Sequence, residues 1–318
     1  MLFSIIILLI GLGLLVIGGE LLVRGSSSIA HIFKVSPLVI GLTIVAFGTS
    51  APELIVNLIS VVEGSADIAV GNIIGSNIAN ILLIGGLAAL IRPLIVKNST
   101  VWKEIPFALL AVILVFTMGN DALFDGNSFN ILTRTDGFSL LSMFFIFLIY
   151  TFNMSKDEYI SSGRIKVYSK KISLIFIIIG LIGLFFGGKL VVEQAIILAR
   201  LAQVTEALIG LTIVAIGTSL PELVTSLIAI YHGHDDLAIG NIVGSNIFNV
   251  FWILGLSSTI LQLPFNPLTN IDIMMAIVAN LLLFAFMFIG SKKKLDRWQG
   301  CSLVIIYVLY LVYLIYRG

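Results

Sequence analysis

The amino-acid sequence predicts an all-α polytopic membrane protein with ten transmembrane helices in two inverted five-helix repeats. Three observations predict this fold: an apolar composition, an internal sequence repeat, and an uneven distribution of basic residues. Hydrophobic residues make up 59% of the 318 residues and charged residues 11%, with a mean hydropathy of +1.14. Soluble globular domains carry about 25% charged residues, so the composition excludes that class. The net charge of +1 argues against nucleic acid as a partner, because nucleic-acid-binding domains are basic.

Ten apolar stretches are long enough to span a membrane, because a helix needs about 20 residues to cross a hydrocarbon core of about 30 Å. They lie near residues 2–23, 36–62, 67–91, 104–119, 136–152, 172–197, 204–231, 236–262, 271–289 and 298–316. The first stretch lacks a basic N-terminal region and matches the sixth in its glycines, so we expect a retained helix and not a cleaved signal peptide. The single cysteine, Cys301, excludes an internal disulfide.

Two passages of the chain repeat each other at an offset of 169 residues. The repeated sequences are GLTIVAFGTSAPE (41–53) with GLTIVAIGTSLPE (210–222), and GNIIGSNIAN (71–80) with GNIVGSNIFN (240–249). Residues 40–87 and 209–256 are identical at 29 of 48 positions. A repeat of this length indicates two copies of one structural unit.

The distribution of Lys and Arg residues predicts the orientation. With the N-terminus outside, fourteen of them fall on one side of the membrane and three on the other, and the positive-inside rule places the fourteen in the cytoplasm. Both termini then face away from the cytoplasm. Because five is an odd number of helices, the second copy enters from the opposite face, as in secondary transporters with a substrate site near the midplane. The predicted units are a first five-helix repeat (1–152), a short cytoplasmic linker (153–171) and an inverted second repeat (172–318).

Each copy contains a Pro-Glu pair about halfway along a predicted helix. Pro52 removes a backbone donor and clashes with the carbonyl four residues earlier, so we expect a break that frees the carbonyls of residues 46–49. In lipid, such carbonyls are tolerated only where they line a cavity or an ion site. Thr49 and Ser50 precede Glu53 by four and three residues, which places hydroxyls and acid on one helix face. The second copy repeats the arrangement with Thr218, Ser219, Pro221 and Glu222 and with the carbonyls of residues 215–218.

The two acids, Glu53 and Glu222, occupy equivalent positions of the repeat, and an acid at bilayer depth costs about 2.5–3.5 kcal/mol. Two such acids indicate one shared cation. The next helix of each copy carries a polar stripe at i, i+4 and i+8, formed by Asn72, Ser76 and Asn80 in the first copy and by Asn241, Ser245 and Asn249 in the second. Ligands that are all oxygen select hard cations. Two carboxylates balance one Ca2+, which takes about 6–8 oxygens, or two Na+ ions; Mg2+ dehydrates reluctantly and ranks lower.

The two GTSxPE segments and the two GNxxGSNxxN segments resemble the α-repeats of the cation/Ca2+ exchanger superfamily. The resemblance to prokaryotic sodium/calcium exchangers covers essentially the whole chain. It implies a secondary active antiporter, not an enzyme, that exchanges Na+ for Ca2+ across the plasma (inner) membrane by alternating access. It also implies no cofactor, membrane lipid as the surroundings, function as a monomer, and helices 2, 3, 7 and 8 broken or kinked at the ion site.

The resemblance further implies which residues bind the ions. The central cluster would comprise Glu53, Glu222, Thr49 and Thr218; the flanking Na+ positions would comprise Ser76, Ser245 and the carbonyls of Ala46 and Ala215; Ser50, Ser219 and Asn80 would complete the site. Potassium-dependent relatives carry Asp at the position of Asn249, so Asn249 favours the potassium-independent branch. The segments 2–23 and 172–197 would slide as a gate, with a smooth contact to the core formed by Gly11, Gly18, Gly19, Gly180, Gly187 and Gly188.

Other functions stay open at this point. A proton-coupled or K+-dependent Ca2+ exchanger of the same fold would share the acid pair, and a Ca2+ channel or an intramembrane enzyme are alternatives from other classes. Ion flux in sealed vesicles separates them, because only counter-transport needs an opposing ion gradient. Outside the site we expect structural roles: Asn77 and Asn246 satisfying backbone groups at the helix break, the helix-end pairs Glu20/Arg24 and Lys189/Glu193, and a plain cytoplasmic turn at His232–Asp236.

Overall fold

The computed structural model describes residues 2–154, 167–203, 215–291 and 293–317. Within these ranges the chain is almost entirely helical. The helices in chain order are α1 (Leu2–Phe33), α2 (Pro37–Thr49), α3 (Ala51–Val62), α4 (Ala66–Ile91), α5 (Thr100–Met118), α6 (Asp121–Phe124), α7 (Arg134–Met154), α8 (Lys170–Leu201), α9 (Ala215–Thr218), α10 (Leu220–Tyr231), α11 (Asp235–Ile260), α12 (Thr269–Phe286) and α13 (Arg297–Arg317).

Eight of the described helices are long and apolar enough to cross a membrane, and the bent pair α2–α3 brings the number to nine. The protein is therefore a helical membrane protein. The predicted seventh span, 204–231, is described only from residue 215 onward, where α9 and α10 lie. Most of the predicted linker, 153–171, lies outside the described residues.

The helix α1 extends ten residues beyond the predicted end of the first span. The sequence from Arg24 onward contains a run of three serines that suggests a loop, yet Ser26, Ser27 and Ser28 are all buried. Ser28 Oγ accepts from the Tyr168 backbone N–H at 2.9 Å, so the serines pack against the start of the second half of the chain. The helix ends at Phe33, and Lys34 follows with a left-handed φ of 53°.

The proline-containing helices break where the sequence predicts. Helices α2 and α3 meet at Ser50 with a bend of 45°, and α9 and α10 meet at Ser219, whose φ and ψ of −86° and 6° closely match the −81° and 8° of Ser50. Each proline lies in the first turn of the following helix. The missing N–H is harmless there, because the first turn has no intrahelical acceptor for it.

The third and eighth spans, which the sequence predicts to be broken or kinked, contain no break. Helices α4 and α11 run uninterrupted, and each contains a π-helical segment, Ala79–Gly85 in α4 and Phe248–Leu254 in α11. Neither segment contains a proline, so the chain widens one turn instead of breaking. Such π segments occur frequently at functional sites. Asn80 and Asn249 are the second residues of the two segments.

Helices α4 and α11 form the centre of the molecule. In their most apolar windows 78% and 94% of residues are buried, against 28% in both α1 and α8. Two short antiparallel ladders join loops of the first half to loops of the second. Strand β1 (Leu94–Ile95) pairs with β4 (Lys294–Leu295), and β2 (Ile131–Leu132) pairs with β3 (Leu263–Pro264). Because β1 and β3 are related by the same 169-residue offset, each ladder crosses between the repeats in the same way.

The glycines of α1 and α8 do not all face the core as the sequence analysis expects. A Cβ on Gly18 would lie 2.7 Å from the Leu184 backbone nitrogen, and one on Gly187 would lie 2.8 Å from that of Leu15. Gly11 and Gly180 make the same kind of backbone contact. These four glycines therefore hold α1 and α8 together as one pair, since only small residues permit so close an approach. Gly19 instead faces α10.

Candidate cation site

The two predicted acids lie at matching places beside the helix breaks. Glu53 is in the first turn of α3 and Glu222 in the first turn of α10, and the side chains are each 1% exposed. The break creates a helix N-terminus at each acid, and the partial positive charge at a helix N-terminus favours a carboxylate. The Pro-Glu sequence thus places a buried negative charge where the backbone stabilises it.

The serine at each break bonds to the acid of the other repeat. Ser50 Oγ donates to Glu222 Oε1 at 2.9 Å, and Ser219 Oγ donates to Glu53 Oε1 at 3.2 Å. Because each serine is only three residues from the acid of its own repeat, these crossed bonds bring both carboxylates to one place. The sequence predicts this convergence, and the structure brings the four residues together.

The serines of the polar stripe add a second donor to each acid. Ser76 Oγ lies 3.5 Å from Glu53 Oε1, and Ser245 Oγ lies 3.4 Å from Glu222 Oε1. Each Oε1 atom therefore accepts two hydroxyls, one from each repeat. The Oε2 atoms of both acids are buried and have no hydrogen-bond partner among the described residues.

The threonines point their hydroxyls at the stripe of the opposite repeat. Thr49 Oγ1 donates to Asn241 Oδ1 at 3.1 Å, and Thr218 Oγ1 donates to Asn72 Oδ1 at 3.2 Å. Each threonine is thereby tied to the stripe helix of the opposite repeat. The sequence analysis places Asn72 and Asn241 on the stripe but gives them no role; their repetition at the same offset is the signal for one.

The stripe asparagines Asn80 and Asn249 bond across the repeat interface. Asn80 Nδ2 donates to Asn246 Oδ1 at 3.0 Å, and Asn249 Nδ2 donates to Asn77 Oδ1 at 3.0 Å. The expected backbone contact exists for one of the acceptors, since Asn77 Nδ2 donates to the Asn246 carbonyl at 3.3 Å. The Oδ1 atoms of Asn80 and Asn249 are buried without a partner among the described residues.

The predicted carbonyl ligands differ from expectation. The break does not free the Ala46 carbonyl, which accepts from the Ser50 N–H at 3.0 Å and from Thr49 Oγ1 at 3.4 Å. The helical hydrogen bonds of α2 therefore continue up to Ser50. The bend beside Pro52 lies at Ser50 and leaves the Ala46 carbonyl bonded. In the second copy the Ser219 N–H donates at 3.2 Å to the Ile216 carbonyl.

Among the described residues, four buried acceptor oxygens of these side chains have no donor: Oε2 of Glu53 and Glu222, and Oδ1 of Asn80 and Asn249. Buried polar atoms are normally hydrogen-bonded, so a cluster of acceptors around two carboxylates is suited to a cation. Within the described ranges, no group of three or more His, Cys, Asp or Glu residues could hold a metal. Two carboxylates and neutral oxygens suit a hard, exchangeable cation better than zinc or copper.

The turn at His232–Asp236 lies apart from this cluster and has partners of its own. His232 Nε2 lies 2.8 Å from Glu20 Oε2, Asp235 pairs with Arg92, and Asp236 pairs with Lys97 at 3.0 Å. These contacts tie the turn to α1 and to the loop after α4, so it is more than a plain turn.

Comparison with known proteins agrees with this geometry. A model of the sodium/calcium exchanger protein family matches residues 3–153 and 172–316. The chain belongs to this family. Among its relatives, the putative antiporter CaxA of Alkalimonas amylolytica is 37% identical over 97% of each chain. The sodium/calcium exchanger MaX1 of Methanosarcina acetivorans is 32% identical over 98% of this chain and 99% of its own.

A solved structure supports the fold of this family member. The sodium-calcium exchanger NCX_Mj, soaked with 10 mM Na+ and no Ca2+, superposes with a TM-score of 0.84 at 35% identity, with 98% of each chain covered. The same protein soaked with 2.5 mM Na+ and 0.1 mM Ca2+ gives a TM-score of 0.83. The architecture described above is therefore that of an exchanger.

We predict that Glu53→Gln and Glu222→Gln each weaken Ca2+ binding by about a hundredfold or more, because removing one partner of a buried charge cluster costs about 3–5 kcal/mol. Glutamine keeps an oxygen that can accept the serine hydroxyls, so the fold should persist. Isothermal titration calorimetry on the purified protein measures the effect. Glu104→Gln is the matched control, since Glu104 is equally buried but bonds to Tyr150. Near-normal affinity in either site variant removes that acid from the site.

We predict that Ser76→Ala and Ser245→Ala weaken Na+ binding by about three- to tenfold, as expected for one lost hydrogen bond or ligand, and weaken Ca2+ binding less. A divalent ion is attracted mainly by the two carboxylates, whereas Na+ depends more on neutral oxygens. Separate titrations with each ion measure the difference. Ser258→Ala is the control, because Ser258 bonds only within its own helix among the described residues. Equal losses for both ions contradict distinct Na+ positions.

Proposed function

We propose that this protein is a secondary active antiporter that exchanges Na+ for Ca2+ across the plasma (inner) membrane by alternating access. One observation carries the proposal: two buried carboxylates, one from each repeat, share crossed serine bonds, and each keeps an Oε2 atom without a donor among the described residues. Membership of the sodium/calcium exchanger family supports the same function. The transported ions are the substrates, and the proposal requires no cofactor and no catalytic residue.

The charge of the site explains why the two ions compete. Two carboxylates carry a charge that one Ca2+ or two Na+ ions neutralise. In the low dielectric of the interior, any remaining net charge on the site is unfavourable. Ca2+ takes about 6–8 oxygens at about 2.3–2.6 Å. The proposed ligands are Glu53, Glu222, Thr49, Thr218, Ser50, Ser219, Ser76, Ser245, Asn80 and Asn249, with the carbonyls of Ala46 and Ala215.

The proposed architecture is ten transmembrane helices in two inverted repeats, 1–152 and 172–318, with the linker 153–171 in the cytoplasm and both termini outside. The distribution of basic residues supports this orientation, with fourteen on the cytoplasmic side and three opposite. The equivalence of the two β-ladders and of the crossed serine bonds supports the pseudo-twofold relation. We propose that the protein functions as a monomer surrounded by membrane lipid, because both halves of the site come from one chain.

The contacts of the α1–α8 pair with the core are not symmetric, and this supports alternating access. A Cβ on Gly19 of α1 would lie 2.8 Å from Ile228 and 3.1 Å from Val224, whereas one on the equivalent Gly188 of α8 would make only an ordinary contact, 3.8 Å from Pro221. The counterparts of Val224 and Ile228 are Ile55 and Ile59, which are 43% and 52% exposed. Helix α1 thus packs on the cytoplasmic half of the core, and the matching outer surface is uncovered.

The charged residues of α1 and α8 show the same asymmetry in their contacts with the core. Glu20 of α1 contacts His232 at the end of α10 at 2.8 Å. The equivalent positions carry Lys189 and Glu63, another pair of opposite charge, but here Lys189 lies 3.8 Å from Glu193 of its own helix and both side chains are half exposed. Inverted repeats exchange conformations when access alternates. We therefore assign this conformation to an outward-facing state with the acids closed off from solvent, and the inward-open state would bring Lys189 to Glu63 while separating Glu20 from His232.

We predict Na+-dependent Ca2+ uptake into proteoliposomes. Vesicles loaded with Na+ should accumulate radioactive Ca2+, whereas vesicles loaded with K+ or choline at the same pH should not. Vesicles that contain the Glu53→Gln variant are the control for uptake that does not depend on the site. Uptake that follows a pH gradient in choline-loaded vesicles would indicate proton coupling, dependence on K+ would indicate the K+-dependent branch, and downhill uptake without any counter-ion would indicate a channel.

We predict that cysteines at positions 63 and 189 cross-link in the inward-open state. The variant Glu63→Cys/Lys189→Cys is made on a Cys301→Ser background, because Cys301 is exposed. Glu20→Cys/His232→Cys reports the opposite state, and Glu63→Cys/Glu193→Cys is the control displaced by one helical turn. Each of the first two cross-links should arrest exchange. A yield at 63/189 no higher than at 63/193 contradicts the assignment.

A further inference from the structure

We propose that Asn77 and Asn246 are positioning residues that fix the amide orientation of Asn249 and Asn80, so that each of these turns its carbonyl oxygen toward the transported cation. The inference rests on the proposed cation exchange and deepens it. It names two residues outside the set of candidate ligands and gives each a defined partner in the opposite repeat. The substrate they serve is a hard cation held by oxygen atoms.

The four asparagines form two amide–amide pairs across the repeat interface, and Asn246 Nδ2 is buried without a partner among the described residues. Asn249 Nδ2 donates to Asn77 Oδ1, and Asn80 Nδ2 donates to Asn246 Oδ1, both at 3.0 Å. All four side chains are buried, so water does not compete for these bonds. In each donor, use of the nitrogen leaves Oδ1 without a partner among the described residues. The orientation of the ligand amide is therefore set by its neighbour.

This orientation matters because an asparagine amide has two unlike ends. The oxygen accepts and the nitrogen carries two donor hydrogens, so a half-turn about χ2 exchanges a cation ligand for a group that repels cations. Asn80 lies one turn beyond Ser76 on the same helix face, and Ser76 contacts Glu53. Hydrogen bonds to carboxylates are stronger than those to neutral acceptors. An unrestrained amide at this place would turn its NH2 group toward the acids and compete with the cation.

Each accepting asparagine belongs to the repeat opposite to the asparagine that it orients. The proposal therefore predicts which pairs of residues are coupled. Asn77 and Asn80 are three residues apart on α4, yet each bonds to a residue of α11. Asn77 also donates to the Asn246 carbonyl at 3.3 Å, which fixes its own amide with the oxygen toward Asn249. A positioning role therefore couples Asn77 to Asn249 and Asn246 to Asn80. It does not couple Asn77 to Asn80, or Asn246 to Asn249.

Double-mutant cycles on the full-length detergent-purified protein test this pattern, with Ca2+ affinity measured by calorimetry. Asn77→Ala alone should weaken binding by about tenfold, as expected when a buried donor loses its acceptor. In an Asn249→Ala background the same change should cost about twofold or less, because the amide it positions is gone. In an Asn80→Ala background it should again cost about tenfold, since independent sites add. Melting temperature confirms that each variant is folded.

If Asn77→Ala does not fold, the equivalent cycle in the second repeat tests the same proposal. It combines Asn246→Ala with Asn80→Ala and with Asn249→Ala. Coupling confined to the 77/249 and 246/80 pairs supports the proposal. Additive losses in those pairs, or equal coupling in all four pairs, overturn it, because a residue that only packs the interface has no reason to act through one amide. Failure of the unmodified protein to bind Ca2+ in competition with Na+ would instead refute the proposed function.

Discussion

Two carboxylates buried among apolar helices set the constraint on which the rest of this structure depends. Each would cost several kcal/mol in an unrelieved apolar interior, and the chain relieves that cost in three ways. The Pro-Glu sequence starts a helix at each acid, serines from both repeats donate to Oε1, and the Oε2 atoms, which have no donor among the described residues, are suited to a cation. The third way needs an ion, so the site is stable when loaded and strained when empty. That dependence is what couples the movement of one ion to another.

The hydrogen bonds of the site cross from one repeat to the other. They distinguish the helices that carry the proposed ion ligands from α1 and α8, the helix pair proposed to move. Serine, threonine and asparagine bonds join α2, α3, α4, α11 and the junction of α9 with α10 into one body. Helices α1 and α8 share close glycine contacts with each other but bear unequally on that body. This distribution of contacts is what the proposed alternating access needs, because the helix pair could then move without rebuilding the proposed ion ligands.

The repeat offset predicts much of the site, because in the proposed inverted arrangement equivalent positions close to the pseudo-twofold axis lie next to each other. It predicts Glu53 with Glu222 and the serines beside them. It does not predict which way a side chain bonds across the interface, so the role of Asn77 is visible only in three dimensions. It also misses the π segments, which leave no proline as a signal, and the length of α1, where buried serines look like a loop. The sequence predicts that Gly18 contacts the core, whereas in the structure Gly18 contacts α8.

The measurement that tests the central claim most directly is a structure of the protein with bound Ca2+, located by its anomalous scattering. The account predicts one Ca2+ with a carboxylate oxygen of Glu53 and a carboxylate oxygen of Glu222 both within about 2.3–2.6 Å. A Ca2+ held by residues of one repeat only, or bound away from both acids, would contradict it.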